Sequence, residues 1–218
     1  MDRLSWPVYL LSMTPVIIDD PADSRIAAYR GIRERDLVGR QHRFVAEGKV
    51  VLDTLLKSRH FVTESVLLLD RRLPLMTEAL SARPDIPVYC APSAIMDEIA
   101  GFPVHRGILA IGQRQRLPGV EELAASLPDR ATLVICAGIS NHDNIGSIFR
   151  NAAAFGAGAG LLGETCCGPL YRKALRVSVG AVLKVPYARF ADLQALPDML
   201  EGFGFRQFAL SPGGATDI

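Results

Sequence analysis

Three segments follow one another without a gap and constrain the fold more than any other part of the chain: residues 131–137 (ATLVICA), 138–143 (GISNHD) and 144–156 (NIGSIFRNAAAFG). An apolar run without polar alternation marks a strand buried on both faces. A polar loop and an amphipathic helix come next, so the loop lies at the strand's carboxyl end, where open α/β sheets hold their ligands. Ile145, Ile148, Phe149, Ala152 and Phe155 recur at helical spacing as one apolar stripe. Asp143 or Asn144 is available to cap the helix. Arg150 falls in the second turn. Helical side chains lean toward the N-terminus, so its guanidinium can reach back to the mouth beside Asn144. A cation and an amide there make a site for an anion or a hydroxyl. The same residues also fit a plainer arrangement, in which Asn144 only caps the helix and Arg150 is a solvated surface residue.

The alternation extends along the whole chain. Residues 1–20 read as an irregular arm, interrupted by Pro7 and Pro15, and residues 23–39 as a charged helix. Helix periodicity is expected over 44–56, 74–81 and 93–99, with Ser93 capping the last. Strands are expected at 65–69, 87–90 and 108–112. Residues 114–119 (RQRLPG) are polar and rich in breakers, and mark a boundary. Beyond it, strands are expected at 131–137, 160–162, 182–185 and 207–210, and helices at 145–155, 170–178 and 191–203. The fold class is therefore α/β: a small N-terminal α/β unit, then a second unit on a parallel sheet. Gly158, Gly160 and Gly163 spell G-x-G-x-x-G, but they precede and run through a strand rather than open a helix. Position 183, where an acidic residue would bind ribose, is Leu. A dinucleotide-dependent oxidoreductase is disfavoured on both counts.

With a net charge of +1, the chain is not a globally basic nucleic-acid binder. Between Pro21 and His60, however, nine basic residues face five acidic ones, Arg40 and Arg43 among the nine. That excess is either a local RNA patch or a solvated helical face. Cys90, Cys136, Cys166 and Cys167 show no C-x-x-C spacing, which reads as a reduced cytoplasmic protein. No metal-ligand spacing of His and Cys appears, so no metal is expected. Nor is there an apolar stretch long enough to span a membrane.

Residues 144–156 resemble the first motif of the SpoU (TrmH-like) RNA 2′-O-ribose methyltransferases of the SPOUT superfamily, N-x-G-x-x-x-R-x-A-x-x-F-G. Asn144, Gly146, Arg150, Ala152, Phe155 and Gly156 match it. His105–Ala110 (HRGILA) is similar to the family's H-x-G-x-x-A segment. The stretch YRKALRVS at 171–178, with Gly180, Ala181 and Pro186, is similar to its K-x-x-R-x-S-x-G-A…P segment. The ordered set covers roughly residues 40–212.

The resemblance implies a trefoil-knot fold, S-adenosylmethionine as cofactor, an rRNA or tRNA ribose 2′-hydroxyl as methyl acceptor, and a homodimer. It implies an N-terminal arm and charged helix over 1–39, an RNA substrate-binding domain over 40–113, and a SpoU-type methyltransferase domain over 120–218. Asn144 and Arg150 are then the catalytic pair. Leu210 and Ser211 border the donor pocket, and Arg40, Arg43, Arg172, Lys173 and Arg176 are RNA contacts. The family's G-E-G and S-L-N donor motifs do not occur in this sequence. The expectation is accordingly a fragment of a longer protein, incomplete in the knot region. The rival expectation is a non-catalytic RNA-binding protein with a degenerate methyltransferase fold.

Overall fold

The computed structural model describes residues 14–30, 34–100, 104 and 106–210. His105, Ser211 and most of the expected N-terminal arm lie outside these. The first half of the chain builds a five-stranded mixed sheet from β1 (Val16–Ile17), β2 (Arg43–Glu47), β3 (Phe61–Leu69), β4 (Val88–Ala91) and β5 (Ile108–Arg114). Its order is β1-β4-β3-β5-β2, with β2 at one edge. Strands β1, β4 and β3 run parallel, whereas β5 pairs antiparallel with both β3 and β2. Helices α1 (Glu34–Arg40), α2 (Lys49–Leu56), α3 (Leu73–Ser81) and α4 (Ser93–Ala100) belong to this half.

The second half holds α5 (Val120–Ala125), β6 (Leu133–Cys136), α6 (His142–Ala154), β7 (Ala159–Gly163), α7 (Arg172–Val177), β8 (Tyr187–Phe190) and α8 (Leu196–Gly202). Its three strands lie in the order β6-β7-β8, all parallel. The expected parallel sheet is thus present, but β6, the end strand among the described residues, is not buried on both faces as expected: of its residues only Cys136 is buried, and Ile135 is 39% exposed. Gly160 and Gly163 sit inside β7, each facing an aromatic ring, Phe149 and Phe190. They serve close packing and do not form a phosphate loop.

Continuous apolar runs in β3 and β5 follow from burial of both sheet faces. Val66 and Leu68 of β3, with Ile108 and Ala110 of β5, point into one core. Leu67, Leu69, Leu109 and Ile111 alternate into a second core on the opposite face. The first core does not stop at the first sheet. It continues through Leu52 and Leu55 of α2 into Ile145 and Phe149 of α6, Leu175 of α7, and Val182. Helices α6 and α7 are therefore anchored from both halves of the chain.

Several expected elements take another form. The helix expected at 44–56 divides into β2 and α2 at Gly48, whose φ of 91° no helix accommodates. The charged helix expected at 23–39 appears as a short 3-10 helix, Ser24–Tyr29, and α1. The strand expected at 182–185 is a buried 3-10 turn, Ala181–Leu183, entered through left-handed Gly180. Its apolar side chains fill the core without pairing, and residues 187–190 supply the third strand instead. Residues 207–210 form no strand. Phe208 and Leu210 are each 80% exposed, so their apolarity reflects no core position. Helix α5 was not expected, because its stretch follows the breaker-rich boundary.

Candidate active site

Strands β6 and β7 end side by side, and the loops leaving them are joined there. The Cys167 amide donates to the Ile139 carbonyl at 2.8 Å, and the Cys166 thiol donates to the Cys136 carbonyl at 3.2 Å. Arg189 donates from Nη1 to the carbonyls of Gly163 and Cys166, both at 3.2 Å, which fixes the loop after β7. This carboxyl edge is where α6 begins. Its cap is Asn141, whose Oδ1 accepts from the Asp143 amide at 2.7 Å, so Asn141 does what Asp143 or Asn144 was expected to do. Asn144 is thereby freed from the capping role.

The expected stripe of α6 is buried at Ile145, Phe149 and Ala152. Phe155 departs from it: the residue follows the helix as its C-cap and is 88% exposed. Asn144 and Arg150 both lie on the solvent side of α6, and neither side chain has a hydrogen bond or ion pair with a described residue. At 3.6 residues per turn they stand about 120° apart around the axis and about 9 Å apart along it. A long guanidinium leaning toward the N-terminus covers most of that distance. Asp143 and Arg150, seven positions apart, share one strip of the helix.

Three contacts hold α7 against that strip. The rings of His142 and Tyr171 stack with centroids 4.4 Å apart. Lys173 Nζ meets Asp143 Oδ2 at 2.7 Å. Gly146 allows the backbones to touch, since a Cβ there would lie 2.8 Å from the Ala174 carbonyl oxygen and 2.9 Å from Val177 Cβ. The motif glycine is thus a helix-packing requirement. Ser178, 1% exposed, donates its hydroxyl to the Leu175 carbonyl at 3.0 Å. It terminates α7 from inside and is not available to a ligand.

The expected RNA contacts fall at two ends of one strand. Arg43 opens β2 and donates to Glu64 at 2.9 Å, with Arg40 exposed just before it. At the other end Glu47, only 5% exposed, faces α7, where Arg172 Nε lies 3.9 Å and Arg176 Nη1 4.0 Å from its Oε2. A carboxylate buried without such partners would cost several kcal/mol. Sequence reasoning places Arg172, Lys173 and Arg176 together but misses Glu47 and Asp143 as their partners, and His142 as that of Tyr171. The available signal for Glu47 was a lone carboxylate inside the apolar run FVAEG.

Of the two expected donor contacts, Leu210 is exposed and has no strand around it, and Ser211 is outside the described residues. Two cavities lie elsewhere. One, of about 330 Å³, is lined by Arg114, Leu117 and Tyr187, and the other, of about 400 Å³, by Asp53, Thr54 and Lys184. Burial pushes the Cys136 thiol up to about 11, and burial also raises Cys167. These thiols stay protonated near neutrality and are poor nucleophiles. Among the described residues no three His, Cys, Asp or Glu side chains gather as metal ligands, and no helix is long and apolar enough to cross a membrane.

A sequence profile described as the SpoU rRNA methylase family matches residues 131–218. An uncharacterized tRNA/rRNA methyltransferase of Mycobacterium tuberculosis is 38% identical over 199 residues, covering 89% of this chain and 67% of the relative. A putative TrmH family tRNA/rRNA methyltransferase of Staphylococcus haemolyticus is 27% identical over 133 residues, 60% of this chain and 53% of the relative. Among solved structures, an AdoMet-bound rRNA methyltransferase from Sinorhizobium meliloti superposes with a TM-score of 0.64 at 21% identity, covering 88% of this chain and 70% of that one. An RNA 2′-O ribose methyltransferase superposes with a TM-score of 0.62 at 19% identity, over 88% and 70% of the two chains. At such identities the superpositions speak to the fold.

Proposed function

The chain belongs to the SpoU rRNA methylase family of tRNA/rRNA methyltransferases, and from that premise we propose that it transfers a methyl group from S-adenosylmethionine to a ribose 2′-hydroxyl of rRNA or tRNA. One observation carries the reading to particular residues. Asn144 and Arg150, whose side chains have no partner among the described residues, stand on the solvent side of a helix whose start is fixed at the carboxyl edge of a parallel sheet. Residues 40–113 would grip the RNA, and residues 120–218 would hold the donor and dimerise. Exposed Ile135 and Phe155 offer apolar surface to a second copy, which light scattering of the purified protein tests. Four unpaired thiols fit a reducing, cytoplasmic setting.

S-adenosylmethionine supplies an activated methyl group. Leu210 is open to solvent, so among the described residues it encloses nothing around a donor. The chain's own residues act on the acceptor. The 2′-oxygen gains the methyl, whose bond to the donor's sulfur breaks, and gives up its proton to solvent, so negative charge grows on it as the proton leaves. Arginine, with a pKa above about 12, is a poor proton acceptor. Arg150 instead holds the neighbouring phosphate with its planar fork and stabilises the developing alkoxide. Asn144 orients the hydroxyl from the first turn.

The test is methyl transfer to rRNA and tRNA by the protein expressed from its complete gene. Alkali-resistant dinucleotides report the product, because a 2′-O-methyl group blocks cleavage at that position. Arg150→Ala should lower transfer by roughly 100- to 1,000-fold while leaving the fold and donor affinity nearly intact. Arg150→Lys should rescue little, since an ammonium lacks the fork. Transfer within a few-fold of the parent would remove Arg150 from the mechanism. RNA binding by the parent with no transfer at all would favour the non-catalytic reading.

A further inference from the structure

The cavity of about 400 Å³ is walled by both halves of the chain. Asp53, Thr54, Lys57 and Arg59 line it from α2 and the residues between α2 and β3, and Lys184 lines it from the end of the buried 3-10 turn. That turn packs directly on the helix, since a Cβ on Gly180 would meet Thr54 Oγ1 at 3.2 Å. Lys57, Arg59 and Lys184 are exposed, and none of their side chains has a hydrogen bond or ion pair with a described residue. Asp53, the one carboxylate among the described residues that line the cavity, is already paired with Lys49 at 2.6 Å. Nor are the cations needed to close the end of α2. The Leu55 carbonyl accepts from the Ser58 amide at 3.0 Å, and the Leu56 carbonyl from Arg83 Nη1 at 3.1 Å.

From this geometry we propose that the cavity is a phosphate seat formed by Lys57, Arg59 and Lys184, and that the phosphate belongs to the backbone of an RNA. The proposal rests on the RNA-modifying role given above and assigns a contact which that role leaves open. Three cations around one cavity repel one another, and an anion between them turns repulsion into attraction. The cavity is at the small end of those that take a ligand, so one group seated in it is within reach of all three. Lysine acts on phosphate as a point charge and needs no fixed geometry, which suits a backbone that crosses an open surface. Lys57 and Arg59 also belong to the basic excess between Pro21 and His60, so part of that excess gains a place. Lys184 precedes β8, whose four residues span about 13 Å, whereas Asn144 and Arg150 belong to the helix that starts at the sheet's other, carboxyl edge. The seated phosphate is therefore not that of the methylated nucleotide. It holds both halves of the chain to a neighbouring stretch of the same RNA and reads charge without sequence.

The experiment is fluorescence-anisotropy binding of a labelled, mixed-sequence single-stranded RNA to the intact protein across a salt series. Arg59→Ala combined with Lys184→Ala removes one exposed cation from each half, and circular dichroism checks that the fold is kept. The double variant should bind several-fold more weakly at low salt, with the slope of log affinity against log salt reduced by about 0.7, the share of one phosphate contact. An unchanged slope overturns the seat. Arg71→Ala, also exposed but at the far end of β3, is the control and should bind as the parent does. An equal loss in that control would mean that charge acts from the whole surface, and it overturns the seat as well. Calorimetric titration with ATP tests a free phosphate compound as the occupant. ATP binding that the double variant loses while its RNA affinity stays at the parent's value overturns the assignment to RNA. Failure of the parent itself to bind RNA at low salt overturns the functional reading and the seat together. A parent that binds RNA while the double variant matches it overturns the seat alone.

Discussion

Val179 carries a φ of 54° on a β-branched side chain that is 40% exposed. Few L-residues tolerate that conformation, and valine tolerates it least. The strain arises because α7 must stop at once: the Gly180 amide reaches back to the Leu175 carbonyl at 3.0 Å, and the chain then enters the turn beneath α2. Val179→Asn should therefore raise stability by about 0.5–2 kcal/mol in urea unfolding, since asparagine accepts the left-handed region and little burial is lost. A lower midpoint would mean that the valine's packing outweighs its strain. Gly146→Ala should act in the opposite direction, losing about 1–3 kcal/mol as its methyl meets Ala174 and Val177. That variant should also lose the register of Asp143 against Lys173, which tests whether the helix pair, and not only the exposed residues, makes the site.

At the scale of elements, the division of residues 43–56 into β2 and α2 decides where the basic residues go. Periodicity alone favours one helix, because FVAEGKVVLDTLL places apolar residues at helical spacing throughout. A strand is nevertheless formed, since β5 offers a free edge and pairs Arg43 through Glu47 with Gln113 through Leu109. The break needs Gly48, with φ of 91° and the Arg106 side chain against its α-carbon. Gly48→Ala should destabilise the protein by about 1–3 kcal/mol, read as a lowered urea midpoint, through backbone strain and displacement of Arg106 together. A midpoint equal to the parent's would show that the junction has more freedom than its geometry implies.

For the molecule as a whole, burial sets the response to alkali. Burial pushes the thiols of Cys90 and Cys136 up to about 12 and about 11, from an ordinary 9.0. It pushes the phenol of Tyr187 up to about 12 from 10.0, and raises Tyr29 as well. Each group keeps its proton in the folded state at a pH where the unfolded chain has released it. Stability is thus fully present below about pH 9 and is lost as pH rises toward the folded values. Between about pH 8 and about pH 10 the unfolding free energy should fall by about 1–3 kcal/mol, most of it from the two thiols. Cys90→Ala and Cys136→Ala together should flatten that slope. A parent with equal urea midpoints at both values would contradict the burial of these side chains.

The sequence by itself determined the alternation of strands and helices, the parallel second sheet, and the placing of Asn144 and Arg150 on a helix at its carboxyl edge. These follow from local physics: apolar runs that need burial on both faces, and a helical period that separates Ile145 and Phe149 from Asn144 and Arg150. Tertiary structure decided what local pattern left open. It chose β2 over a longer helix because a strand edge was free, and took residues 182–185 into the core as a turn because the strand position went to Tyr187–Phe190. It left Phe208 and Leu210 in solvent, although their pattern suits a strand. It also set Glu47 beneath Arg172 and Arg176, residues more than a hundred positions away. Charge partners of that kind have no periodicity in the sequence, because an ion pair depends only on distance in the folded chain.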